Sequence, residues 1–169
     1  MQSTLNPLIP AKSKRSLIFL ALSSFIVIVV SFAGSAVTRP VILGWYADLQ
    51  KPWFNPPNWI FPVVWPILFT LMIVGFWRVL RQVNAGRPRG YAIIAFFVQL
   101  IFNLAWSITF FGAKSLLAGV FVSVGLVATV AAMIITFWKI DPVAARLQIP
   151  YLAWVSFAMV LTMSIWRLN

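Results

Sequence analysis

The sequence contains no cysteine and no histidine. The first absence removes disulfides, thiol nucleophiles and thiolate metal sites. The second removes the commonest metal ligand and the commonest general base. Acids are nearly missing too: Asp48 and Asp141 are the only two in 169 residues. Two carboxylates are a poor basis for an oxygen-ligand metal site or a paired-carboxylate hydrolase. Charged residues make up only 9% of the chain, against roughly a quarter in a soluble domain. No phosphate-cradling Walker loop is present, which argues against an ATPase. No ionisable residue interrupts the long apolar runs, which argues against an ion-coupled transporter.

What the chain has is apolar and aromatic. It is 62% hydrophobic and 16% aromatic, with nine tryptophans and eleven prolines. Mean hydropathy is +0.97. This is a membrane composition before any segment is located. The net charge of +11 would point to nucleic acid in a soluble protein. Here the basic residues lie between apolar runs, where they set topology and meet anionic headgroups, so nucleic acid is not an expected partner.

Residues 1–16 form a polar N-terminal tail, and residues 17–169 carry five apolar runs. The first covers about residues 17–37. Its basic flank and Ala-Gly-Ser-Ala end resemble a signal peptide, but 21 residues exceed a signal core and span a bilayer. The remaining helices are expected at about 59–77, 91–111, 116–138 and 143–166. Pro62 and Pro66 predict a kink in the second helix. Asn55 before Pro56-Pro57 marks its start, Gly112 stops the third, and Asp141-Pro142 caps the fifth, with Pro150 kinking it. The fold class is therefore all-α, an integral membrane bundle of five helices. An odd number of spans puts the termini on opposite faces. The face with the N-terminus carries nine basic residues and the other four. The positive-inside rule then puts the N-terminus in the cytoplasm of a bacterial inner membrane.

Residues 44–69 stand apart, with four tryptophans and five prolines. They run from a long connection into the second helix. Trp77, Trp138 and Trp166 fall at helix ends, as in an interfacial aromatic belt. Trp59, Trp65, Trp106 and Trp154 concentrate in the half of the bundle beneath that connection. Trp65 lies roughly 10 Å below its surface at 1.5 Å per residue. Such residues line a site for a flat apolar ligand or simply pack between helices. Gln99, Asn103 and Ser107 share one face of the third helix at i, i+4 and i+8. Amides are costly against lipid, so this stripe faces inward, either as interhelical hydrogen bonds or as a ligand contact. Gly119-x-x-x-Ser123 and Ala128-x-x-x-Ala132 permit close helix approach, within a subunit or in a dimer.

Three blocks carry a resemblance. The first is Trp45-Tyr46-Ala47 through Leu49-Gln50-Lys51-Pro52, continuing to Pro56-Pro57-x-Trp59 and Val64-Trp65. The second is Gln99-Leu100 with Asn103-x-x-Trp106, then Phe110-Phe111-Gly112-Ala113. The third is Pro142-x-Ala144-Ala145-Arg146-Leu147 with Pro150-Tyr151-Leu152-Ala153-Trp154 and Trp166-Arg167-x-Asn169. The chain resembles the TspO/MBR family, the tryptophan-rich sensory proteins and the mitochondrial translocator protein (peripheral benzodiazepine receptor). The resemblance implies a five-helix bundle, commonly a homodimer, whose cavity is covered by the first long loop. It implies protoporphyrin or haem as ligand with no required cofactor, and a sensory, scavenging or transport-related role. An enzyme degrading porphyrin in light and oxygen is the alternative, with Trp65 and Trp154 as the cavity indoles. Sterol or other lipid binding is another.

Ligand positions implied by the resemblance are Tyr46, Trp59, Trp65, Asn103, Trp106, Trp154, Ala158 and Leu161. The lid holds Arg39, Trp45, Lys51 and Pro52, and Lys51 and Arg39 would meet propionates. The chain departs from the family in several places. Its Lys-Pro-x-Trp reads Lys51-Pro52-Trp53-Phe54, Val122 replaces a frequent aspartate, and Thr162 replaces a frequent asparagine. Met163 replaces the tyrosine of the animal cholesterol motif, which weakens the sterol reading. In a eukaryote the membrane would be mitochondrial or of another organelle.

Overall fold

A computed structural model describes residues 8–169. Five helical segments are long and apolar enough to cross a membrane. α1 (Lys14–Thr38) starts at Ser13, whose hydroxyl accepts from the Ser16 amide, and a 3-10 turn, Arg39–Val41, prolongs it. α2 (Trp45–Asp48) is a single turn in the long connection. α3 (Ile60–Arg81) and α4 (Gly86–Ser107) follow. α4 passes without interruption into a π turn, Ile108–Gly112. α5 (Leu116–Trp138) is continuous. The last span is split into α6 (Pro142–Arg146) and α7 (Ile149–Leu168).

Local chemistry sets several of these boundaries differently from expectation. Pro62 lies in the first turn of α3, where an amide has no helical acceptor anyway. Only Pro66 is interior. Asn55 does not cap α3. Its Oδ1 accepts from the Tyr46 hydroxyl at 3.1 Å and its Nδ2 donates to the Pro56 carbonyl. α4 begins a turn early at Gly86, whose φ of 48° lies in the left-handed region that glycine tolerates. Asp141 caps α6 as expected, accepting from the Val143 and Ala144 amides. The break in the last span comes at Leu147–Gln148. Pro150, second in α7, sits where its missing N–H costs nothing.

Side-chain contacts confirm the parity of the spans. On one face, here the N-terminal face, Arg78 pairs with Asp141 at 2.8 Å and Gln82 Nε2 donates to the same carboxylate. Arg81 there donates to the Ile9 carbonyl, so residues preceding α1 dock on the end of α3. On the opposite face, the lid face, Asn169 pairs with the backbone of Gln50. Trp77 is not simply an interfacial residue, because its Nε1 donates to the Ser16 carbonyl at 2.9 Å and ties α3 to α1. Trp138 and Trp166 are exposed, as an aromatic belt requires.

Packing is uneven along the bundle axis. The half towards the N-terminal face is filled: Met72, Phe76, Phe96, Val130, Met133, Phe137 and Tyr151 are buried together. The Phe76 and Phe96 rings stack with centroids 3.7 Å apart. Gly75 lets Gln148 cross close to α3, where Gln148 Nε2 donates to the Leu71 carbonyl. Gly119 and Gly125 accept the Phe110 and Phe102 rings of the α4 segment, so these small residues serve packing within the chain. Ala128 and Ala132 face outward. The half towards the lid is not filled in this way.

Candidate functional site

The unfilled half holds a cavity of about 640 Å³. Small molecules usually occupy pockets of about 300–1,000 Å³. Each wall follows from helical spacing. α3 contributes Phe61, Trp65 and Phe69 at i, i+4 and i+8, with Pro62 and Pro66 between them. α7 contributes Trp154, Ala158, Leu161, Thr162 and Ile165. The α4 segment contributes Asn103, Trp106, Ser107, Phe110 and Phe111. α1 closes the ring with Ser31, Gly34, Ser35 and Thr38, a small and polar stripe at i, i+3, i+4 and i+7. These α1 residues are absent from the expected site, although their small, polar spacing is a helical-face signal in the sequence. Phe32 also lines the cavity although it is largely exposed on the outer surface of α1.

The π turn arranges the aromatic cluster beneath the lid. The Ala113 amide reaches back five residues to the Ile108 carbonyl at 2.7 Å. The wide turn lets Phe110 stack on Trp106 (5.5 Å, 12°) while Phe111 meets the same indole edge-on (5.6 Å, 89°). Gly112 allows close approach here, since a Cβ would lie 3.0 Å from Val37 Cγ1 of α1 and the valine would have to shift.

The lid closes over this cluster. Tyr46 is buried between Phe110 and Phe111 and lines the cavity roof. Burial raises the pKa of its hydroxyl above the ordinary tyrosine value, so it stays a neutral donor to Asn55. Trp45 packs edge-on against Phe110 and lies outside the cavity lining. Lys51 is engaged within the lid rather than with a ligand. Its Nζ donates to the Ala47 and Leu49 carbonyls at the end of α2 and sits 4.9 Å over the Tyr46 ring. Pro52 also lies outside the lining, whereas Arg39 is part of it. Trp59 is not in the cavity: it stands 66% exposed just before α3. In the Trp53-Phe54 pair, Trp53 is 96% exposed, while Phe54 packs inward on Phe157. The inward ring of this segment is thus a phenylalanine.

The amide stripe does two jobs. Tyr151 Oη donates to Gln99 Oε1 at 3.0 Å and accepts from Asn103 Nδ2 at 2.9 Å, joining α4 to α7. Gln99 is fully enclosed and is structural. Asn103 belongs both to this relay and to the cavity wall. The indole N–H groups of Trp106 and Trp154 have no acceptor among the described residues. Both N–H groups are shielded, so the two indoles meet the cavity through their other ring atoms.

The lid is fastened at its far end by Asn169. Its Oδ1 accepts from the Gln50 amide and its Nδ2 donates to the Gln50 carbonyl, both at 3.0 Å. Replacing Asn169 with Ala removes both bonds at a cost of about 1 kcal/mol. The Gln50 amide should then exchange with deuterium about fivefold faster, and an unchanged rate would show that the lid is held elsewhere.

A profile of the TspO/MBR family matches residues 23–167. The chain belongs to the TspO/MBR family. It is 38% identical to the tryptophan-rich protein TspO of Chlorobaculum tepidum, over 92% of this chain and 98% of that one. It is 37% identical to protein CrtK of Rhodobacter capsulatus, over 89% and 95% respectively. It is 36% identical to the human translocator protein, over 82% of each chain. Family membership and five apolar spans make this TspO/MBR protein an integral, multi-pass membrane protein.

Proposed function

We propose that the cavity binds a tetrapyrrole, and that the protein acts in sensing, scavenging or moving it. The observation that carries this reading is the wall chemistry. A cavity of about 640 Å³ is lined by Trp65, Trp106, Trp154, Phe61 and Phe110, with Arg39 as its one cationic group. A flat apolar macrocycle stacks on such rings, and a carboxylate on its edge would meet Arg39. The donor set favours a metal-free porphyrin over haem. The lining offers no imidazole, thiolate or thioether, and its one phenol, Tyr46, is bonded to Asn55. The net charge bias supports a cytoplasmic N-terminus in a bacterial inner membrane, with the lid outside. The exposed α5 face with Ala128 and Ala132 is compatible with a homodimer.

Titration of detergent-solubilised protein with protoporphyrin, read by Soret absorbance and tryptophan quenching, should saturate. Trp65→Phe combined with Trp154→Phe should weaken binding about tenfold, since each stacked aromatic pair contributes about 0.5–1.5 kcal/mol. Unsaturable quenching, or unchanged affinity in the double variant, would defeat the proposal.

A second reading is an enzyme that breaks down the bound porphyrin in light and oxygen. It is favoured by Trp65 and Trp154 standing in the same cavity in a chain without cysteine or histidine. Illumination of the complex separates the two readings. Bleaching at the same rate in the double variant would rule out a tryptophan-dependent reaction.

A further inference from the structure

The N-terminal face carries a charge problem that the chain does not solve by itself. α1 and α4 both run from that face towards the lid, and they pack side by side. A Cβ on Gly34 would lie 3.3 Å from Ser107 Oγ, and one on Gly112 would meet Val37. These contacts pair positions 73 and 75 apart in sequence. Carried down the two helices, the same register sets Arg15 beside Arg89.

Two of the three Arg89 guanidinium nitrogens, Nε and one Nη, are shielded from solvent and meet no acceptor among the described residues. Such N–H groups are costly unless an acceptor arrives. No carboxylate among the described residues is left for them on this face. Asp141 is engaged by Arg78, by Gln82 and by the first amides of α6, and Asp48 lies in the lid. Arg15 itself is exposed at the start of α1, over the Phe19 ring.

We infer that Arg15 and Arg89 clamp the phosphate of an anionic phospholipid headgroup. Guanidinium forks match phosphate oxygens in pairs, and two of them together offset the repulsion that each suffers from the other. The choice of a lipid over a free anion rests on what lies next to the pair. Ile18 and Leu22 of α1, and Tyr91 and Ile94 of α4, are large apolar side chains exposed within two turns of the two arginines. These outward faces suit acyl chains, so a lipid would satisfy the rim and the flank at once. This site lies at the opposite end of the bundle from the cavity and does not depend on what the cavity holds.

The test uses the full chain in nanodiscs of phosphatidylcholine with or without phosphatidylglycerol. Native mass spectrometry after partial delipidation counts the retained lipid. The wild type should retain phosphatidylglycerol over phosphatidylcholine by about tenfold, the scale expected for two basic groups on one headgroup. Arg15→Gln with Arg89→Gln should abolish the preference. Arg87→Gln with Lys139→Gln removes the same charge from exposed positions of the same face and should leave most of it. Equal retention in the first variant and the wild type would overturn the assignment, as would equal loss in both variants. Inorganic phosphate that competes the lipid off at matched ionic strength would show a free-anion site and overturn the lipid assignment. Should the double glutamine variant fail to fold, Arg89→Lys serves instead. It keeps the charge but loses the fork, and undiminished retention there would also overturn the clamp.

Discussion

Asp141→Ala should lower the stability of the bundle by about 3 kcal/mol, towards the lower end of the range for breaking a buried ion pair. The carboxylate is 2% exposed and is shared by four partners. One oxygen caps α6 through two amides, a contribution of about 1 kcal/mol. The other meets Arg78 and Gln82, which join the ends of α3 and the α5–α6 turn. Arg78 is a quarter exposed and can turn to water when its partner is lost, which is why the upper end of the range is not expected. Asp141→Asn should do almost as badly. An amide must turn its oxygen either to the α6 backbone, setting its NH2 against Arg78 and Gln82, or the other way, losing the cap. Thermal unfolding in detergent checks both variants. An asparagine variant within about 0.5 kcal/mol of wild type, the ordinary range for an unconstrained surface position, would show that the ion pair contributes little.

Tyr151→Phe should cost about 1–2 kcal/mol while leaving the cavity volume almost unchanged. The hydroxyl is the middle of the Asn103–Tyr151–Gln99 relay. Its loss leaves Gln99 Oε1 and Asn103 Nδ2 without partners. In water-soluble cores each such group would cost about 1–3 kcal/mol. Interhelical hydrogen bonds in membrane proteins average only about 0.6 kcal/mol, because the unfolded chain in the bilayer also finds partners, so the lower total is expected here. The same variant separates the two roles of the amides. Asn103 Nδ2, released from Tyr151, becomes free for a ligand acceptor. Porphyrin affinity that holds or rises while stability falls would show that the relay is structural. A fall in affinity matching the fall in stability would show that ligand and relay are one system.

The sequence revealed the helix count, the facing of the spans and most of the cavity wall, because each is written in a periodic or single-residue signal. Trp65, Trp106 and Trp154 all line the cavity, and Asp141-Pro142 is a local cap needing no partner. What the sequence concealed depends on contacts between distant residues. Lys51 looks like a free lid cation, but the carbonyls of its own loop hold it. Trp59 is a ligand position by family resemblance, yet it precedes α3 and stands outside the cavity. Asn55 looks like a helix cap, but Tyr46 claims it first. The break at Gln148 follows from a bond to Leu71 and space beside Gly75, neither of which any local pattern announces.

The wide turn at Ile108–Gly112 makes chain length itself part of the cavity's specification. An α-helix returns to the same side after about 3.6 residues, so a single indole would ordinarily meet only one of two consecutive phenylalanines. The extra residue brings Phe110 and Phe111 to Trp106 together, and both then hold Tyr46. Deleting one residue from this stretch, with every side-chain type kept, would rewind the helix. Gly112 would swing away from Val37 and the lid would lose its seat. The pocket is in this respect a matter of counting: its roof is built by one surplus peptide unit.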